Sequence, residues 1–122
     1  MQSPAVPPTA LLVGTEDMLL FTRKSILERQ HFSVSISSPT QAPDTLRSSD
    51  FDVVIACHTL IPEEAALLVE TARAKSKVPA LIGFTKHPSP RPAPLFDVTI
   101  WSLASPETFV RKVHEALRSD PS

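Results

Sequence analysis

The side chains in this sequence best equipped for chemistry are Cys57, His58, His87 and Glu16, with Gly14 and Thr15 as candidate binding groups. Cys57 closes an apolar run, Phe51-Asp52-Val53-Val54-Ile55-Ala56-Cys57-His58. A thiolate at a strand end that faces a helix N-terminus is acidified, which would suit a nucleophile, a redox sensor or a phosphoryl carrier. The plainer role is that of a small buried apolar side chain. Neighbours on a strand point to opposite faces, so a Cys57-His58 dyad is not expected and His58 reads as polar cover. Cys57, His58, His87 and Glu16 together would make a transition-metal set. No pair among them has ligand spacing such as His-x-x-x-His, so no metal or other cofactor is expected. Gly14-Thr15-Glu16 at a strand-to-helix turn resembles an anion site at a helix N-terminus. One glycine is not a phosphate-binding fingerprint, and Glu16 would repel an anion, so a simple turn is expected.

The elements that must position these residues are legible from periodicity. Ala10-Leu11-Leu12-Val13, Val53-Val54-Ile55-Ala56 and Ala80-Leu81-Ile82-Gly83-Phe84 are continuously apolar, as strands buried on both faces of a parallel sheet are. Ser33-Val34-Ser35-Ile36-Ser37 and Val98-Thr99-Ile100-Trp101-Ser102 alternate instead, which marks edge strands. Between strands the period shifts to that of a helix. Leu19, Leu20, Ile26 and Leu27 stripe the segment from Asp17 to Gln30, with Thr15 as its expected N-cap. Pro62-Glu63-Glu64 opens a second helix with Leu67, Leu68 and Ala72 inward and Lys75 and Lys77 at its C-terminal end. Ser105-Pro106-Glu107 opens the last helix, in which Phe109, Val113 and Leu117 recur every four residues. This order predicts an α/β fold, a flavodoxin-like, doubly wound parallel sheet of five strands in the order 2-1-3-4-5.

Proline placement modifies that plan. The chain has 13 Pro and 2 Gly in 122 residues, and the prolines cluster. Pro39 and Pro43 leave room for only a short or distorted helix between Ser38 and Ser49. Pro88, Pro90, Pro92 and Pro94 alternate, which predicts a polyproline II crossover in place of a fourth helix. With Arg91 this run resembles ligands of aromatic grooves, so Pro88, Pro90, Arg91, Pro92, Pro94 and the sole tryptophan, Trp101, form a candidate interaction surface. Residues 1–9 read as a disordered proline-rich tail, 10–118 as one domain and 119–122 as a C-terminal tail.

The arrangement resembles the receiver (CheY-like) domains of bacterial response regulators over roughly residues 9–118. Leu11-Leu12-Val13 with Glu16 looks like the first strand and its acidic turn. His31-Phe32 falls where the family has Gly and an aromatic residue, and Asp52 with four apolar residues matches the strand that leads to the phosphoacceptor. Pro79 to Thr85 resembles the strand ending in the hydroxyl residue, and Ser105-Pro106-Glu107 the start of the last helix. The resemblance implies a pocket in which two carboxylates hold Mg²⁺, an aspartate attacks phosphorus, a hydroxyl binds the phosphoryl group and a lysine balances charge. Carried over, the acidic pair becomes Gly14 and Thr15, the phosphoacceptor Cys57 and the lysine Ser102, leaving Thr85 and a displaced Glu16. A hard cation that demands octahedral oxygen is poorly served there, so a degenerate pocket without aspartyl phosphorylation is expected. Thr99 stands where the family's switch aromatic is often found, and Trp101 follows two residues later.

Composition narrows the function classes. The formal net charge is −1, from 12 Lys and Arg against 13 Asp and Glu, with no basic stripe for nucleic acid. Arg23, Lys24 and Arg29 read as a solvated helix face. The N-terminus lacks the features of a secretory signal, no segment approaches the ~20 apolar residues of a membrane span, and a single cysteine fits a reduced, cytoplasmic setting. The expectation is a stand-alone signalling domain, not an enzyme, that acts through surface contacts with protein partners. The alternatives are a Cys57 thiol sensor or phosphoryl carrier, and a small-ligand site at the topological switch point. The oligomeric state stays open.

Overall fold

The computed structural model describes residues 7–57, 60–85 and 96–118. Its elements are β1 (Thr9–Val13), α1 (Asp17–Arg29), β2 (Ser33–Ser37), α2 (Ala42–Ser48), β3 (Val53–Ala56), α3 (Pro62–Arg73), β4 (Ala80–Thr85), β5 (Val98–Trp101) and α4 (Pro106–Arg118). All strand pairs are parallel, and the sheet order is β2-β1-β3-β4-β5. The two alternating segments are therefore the edges, although at the end of β2 Ile36 is exposed and Ser37 is buried. β1 starts at Thr9, inside the segment expected to be tail, because Thr9 is tied to Asp52 and its neighbour Pro8 accepts a hydrogen bond from the Ser33 N–H. The proline crossover expected at 86–95 lies outside the described residues.

Side-chain parity sorts the core into two layers. Leu12, Val53, Ile55, Cys57, Ile82, Phe84 and Ile100 point to one face of the sheet, where α1 and α4 cover them. Leu11, Val13, Val54, Ala56 and Leu81 point to the other, beneath α2 and α3. Burying both faces is what makes the central strands uniformly apolar. Gly83 belongs to this packing: a Cβ there would lie 2.5 Å from the Phe96 ring, so only glycine lets that ring lie against β4.

Helix ends follow their sequence signals with one exception. The Ser105 hydroxyl accepts from the Thr108 N–H at 3.2 Å and caps α4. The Glu64 carboxylate accepts from the Ile61 N–H at 3.0 Å and closes the start of α3 behind Pro62. At α1 the flanking position is Glu16, without a side-chain cap, so Thr15 lies one residue too early to serve as N-cap. Within α3, Leu68, Val69, Thr71 and Ala72 are buried while Leu67 is 47% exposed, a rotation of the stripe from the one expected. Lys75 beyond α3 donates to the Leu46 and Ser49 carbonyls at the end of α2 and pairs with Asp50 at 3.0 Å, which ties α3 to α2.

α1 ends in a Schellman motif: the His31 N–H donates to the Glu28 carbonyl at 3.0 Å and the Phe32 N–H to the Leu27 carbonyl at 3.1 Å. This geometry puts His31 at φ 68°, where a Cβ is costly. Phe32 is thereby turned inward against His114 of α4, with ring centroids 5.8 Å apart. His31→Gly is expected to stabilise the protein by about 0.5–1 kcal/mol; a urea midpoint unchanged or lowered would contradict this.

The N-terminal edge of the sheet is held by Asp52. Its carboxylate accepts from the Thr9 N–H at 2.8 Å and pairs with Lys77 at 2.9 Å. Burial pushes the Asp52 carboxyl up, but the Thr9 N–H and Lys77 outweigh it and hold the group below its ordinary value. A depressed native pKa gives stability that is full above the unfolded value of about 3.9 and is lost as pH falls through the native one. Asp52→Asn is expected to be less stable at neutral pH and to lose this acid-linked component; unfolding midpoints of both proteins between about pH 2 and 5 check it.

Candidate functional site

The C-terminal ends of β1, β3, β4 and β5 converge at one edge of the sheet. There the backbone sets the spacing: the Cys57 N–H donates to the Val13 carbonyl at 2.9 Å and the Ser102 N–H to the Thr85 carbonyl at 2.8 Å. Gly14 abuts Cys57 so closely that a Cβ on it would lie 2.9 Å from the cysteine Cβ. Gly14 with Cys57 and Thr85 with Ser102 are thus two neighbouring pairs. Trp101 is registered opposite Thr85. Thr15 and Glu16 are exposed beside them at the start of α1.

The residue that joins the pocket is one read from sequence as solvated. Arg23 is only 6% exposed. Its Nη1 donates to Cys57 Sγ at 3.2 Å, and its guanidinium carbon lies 3.6 Å from the centroid of the Phe84 ring. Phe84 in turn packs against Phe109 of α4, with centroids 5.5 Å apart. The signal was present in the spacing: Leu20, Arg23 and Leu27 stand at i, i+3 and i+7 on the one buried stripe of α1. Parity completes it, since Cys57 shares the α1 side of the sheet with Val53 and Ile55.

Electrostatics at Cys57 are decided by burial. Removal from water pushes its thiol up, the Arg23 guanidinium pulls it down, and Glu16 adds a further upward push, leaving the net shift above the ordinary value. The thiol is therefore neutral at physiological pH and accepts the arginine hydrogen bond as an S–H group. An acidified thiolate is not what this arrangement produces. Among the described residues, no group of three or more His, Cys, Asp or Glu side chains is placed to hold a metal ion. His58 and His87 of the metal set lie outside the described residues, as do Pro88, Pro90, Arg91, Pro92 and Pro94 of the candidate surface.

Two hollows flank the site. One, of about 430 Å³, opens between β5 and α4, with Thr85, Trp101 and Lys112 on its walls. A smaller one, of about 150 Å³, lies between α1 and α4 and reaches Arg23, Phe84 and Ser102. Away from both, Met18 and Phe21 on α1 are 83% and 65% exposed, beside Ile36 of β2. No helix among the described residues is long and apolar enough to cross a membrane.

Comparison with solved structures places this architecture. The chain is similar to a response regulator receiver domain (CheY-like) from Methylobacillus flagellatus, with TM-score 0.77 and 19% identity over 91% of this chain and 99% of that one. It is also similar to the chemotaxis response regulator CheY4 of Vibrio cholerae, with TM-score 0.80 and 16% identity over 91% and 99% of the two chains. A CheY-like receiver domain protein from Methanospirillum hungatei JF-1 matches with TM-score 0.77 and 19% identity over 92% and 94%. No protein-family model and no curated protein matches the sequence. The fold is that of CheY-like receiver domains, with the flavodoxin-like strand order.

Proposed function

We propose that this chain is a receiver-like domain of signal transduction that works by protein contact, without phosphorylation and without catalysing a reaction. The observation that carries this reading is the Arg23–Cys57–Phe84 stack at the strand ends. A guanidinium 3.2 Å from the side chain of residue 57 repels a divalent cation, and the neighbouring Gly14 and Thr15 offer no carboxylate to offset that repulsion. Among the described residues this edge offers a transferred phosphoryl group no metal clamp, and the Arg23 guanidinium there is already engaged by sulfur and the Phe84 ring. The exposed Met18 and Phe21 support contact with a protein partner, since large apolar side chains grouped on a surface mark interaction sites.

The test is an amide NMR titration with Mg²⁺ and beryllofluoride, for which no saturable, Mg²⁺-dependent shifts are expected at Gly14, Cys57 or Thr85. Their appearance would overturn the reading. The second reading, a thiol sensor or phosphoryl carrier, is supported by the Arg23 hydrogen bond to sulfur and opposed by burial. Alkylation by iodoacetamide against pH separates the two. A slow reaction with its midpoint above the ordinary ~8.5 of cysteine is expected, and a midpoint well below that would favour the thiol reading.

A further inference from the structure

We propose that the hollow between α1 and α4 is a binding site for a small aliphatic carboxylic acid in its ionised form. The inference is independent of the phosphorylation question, because it uses Arg23 and needs no metal. A guanidinium carries five N–H donors. Arg23 directs one to the neutral Cys57 thiol and rests a face on Phe84, and among the described residues no carboxylate lies within ion-pair distance of it. At 6% exposure, the guanidinium meets little water beyond what the hollow beside it admits. A buried cation without a counter-charge is costly, so the site calls for an anion.

The walls decide which anion. The hollow of about 150 Å³ has Arg23 and Ser102 among its lining residues, with Leu19, Ile26, Ala104 and Phe109 supplying hydrocarbon. A phosphate or sulfate would have to give up its hydration against that hydrocarbon. A carboxylate matches the fork of the guanidinium with two oxygens and lays a short carbon chain against the apolar wall. Each buried methylene then tightens binding by about fourfold, which predicts affinity rising from acetate through propionate to butyrate.

The experiment is an amide NMR titration of the full, isotope-labelled chain in EDTA with acetate, propionate and butyrate. Butyramide, inorganic phosphate and the capped glutamate N-acetyl-glutamate amide serve as comparisons. The expected result is saturable shifts at Thr22, Ser102 and Phe109, in rising order of affinity along the acids, with butyramide weaker by about tenfold or more for want of the charge-assisted hydrogen bonds. Arg23→Met should abolish the response to butyrate. The butyramide comparison uses the native chain, so the proposal remains testable even if that variant does not fold. Absence of saturable shifts, butyramide equal to butyrate, or a response undiminished in a folded Arg23→Met protein would overturn the proposal. Phosphate binding tighter than butyrate would overturn the carboxylate assignment. Tighter binding of the capped glutamate would overturn a free acid in favour of a partner's side chain.

Discussion

Cys57→Asp is expected to stay unlabelled by acetyl phosphate in the presence of Mg²⁺, even though it returns the phosphoacceptor type to the end of β3. The new carboxylate would face Arg23 across the gap now spanned by a 3.2 Å hydrogen bond to sulfur. It would be held there as a buried ion pair, with its lone pairs engaged by the guanidinium and not by a metal. Gly14 and Thr15 still supply no acidic pair. Efficient Mg²⁺-dependent labelling of Cys57→Asp would refute this.

The pair itself can be measured by adding Arg23→Met to Cys57→Asp. Removing the guanidinium strands a carboxylate among Gly14, Leu20 and Phe84, and the double variant should be less stable than Cys57→Asp by about 3–5 kcal/mol at neutral pH. The pH dependences should have opposite signs. With Arg23 present, the carboxyl introduced at position 57 is held below its unfolded value, so its contribution is full above about pH 3.9 and falls away as pH drops through the native pKa. Without Arg23, burial raises the carboxyl, and the variant should gain stability as pH falls and the group is neutralised. Urea unfolding across that range distinguishes the two; parallel curves would show that residue 57 does not sense Arg23.

Phe109→Ala is expected to cost about 3–5 kcal/mol, the usual loss for a buried phenyl ring. Phe109 is 3% exposed, and its ring meets Phe84 at 5.5 Å while Phe84 carries the Arg23 guanidinium on its ring. Deleting it therefore removes apolar burial and loosens the support of the cation. The urea midpoint should fall with an unchanged m-value if only native packing is lost. Leu117→Ala, at a partly buried position on the same helix, should cost clearly less. Equal losses at the two positions would contradict the greater burial of Phe109 as the source of the difference.

Much of this architecture is written in residue alternation. Ser33–Ser37 and Val98–Trp101 announce themselves as edges by alternation, which fits the order 2-1-3-4-5 that the sheet has. Gly14 lies beside Cys57 and Ser102 beside Thr85 because strand length and register fix where strands end. What composition concealed was Arg23. An arginine is usually solvated, and residue type outweighed a spacing that put it between Leu20 and Leu27. The rotation of α3 that exposes Leu67 escaped for a related reason: Leu67-Leu68-Val69 offers three adjacent apolar residues, and only packing against α2 and the sheet selects which of them turn inward.

The guanidinium also governs what the surface displays. The apolar contacts of Leu20 and Leu27 seat α1 by close packing, to which the guanidinium adds directed contacts. A flat ion held by a sulfur atom at one edge and a ring against its face has only one seat. Met18 and Phe21 ride on the same cylinder less than two turns away, so their bearing toward a partner is set from inside the molecule. In this chain the buried charge acts as a locating key, and the helix it locks is the one that carries the exposed apolar face.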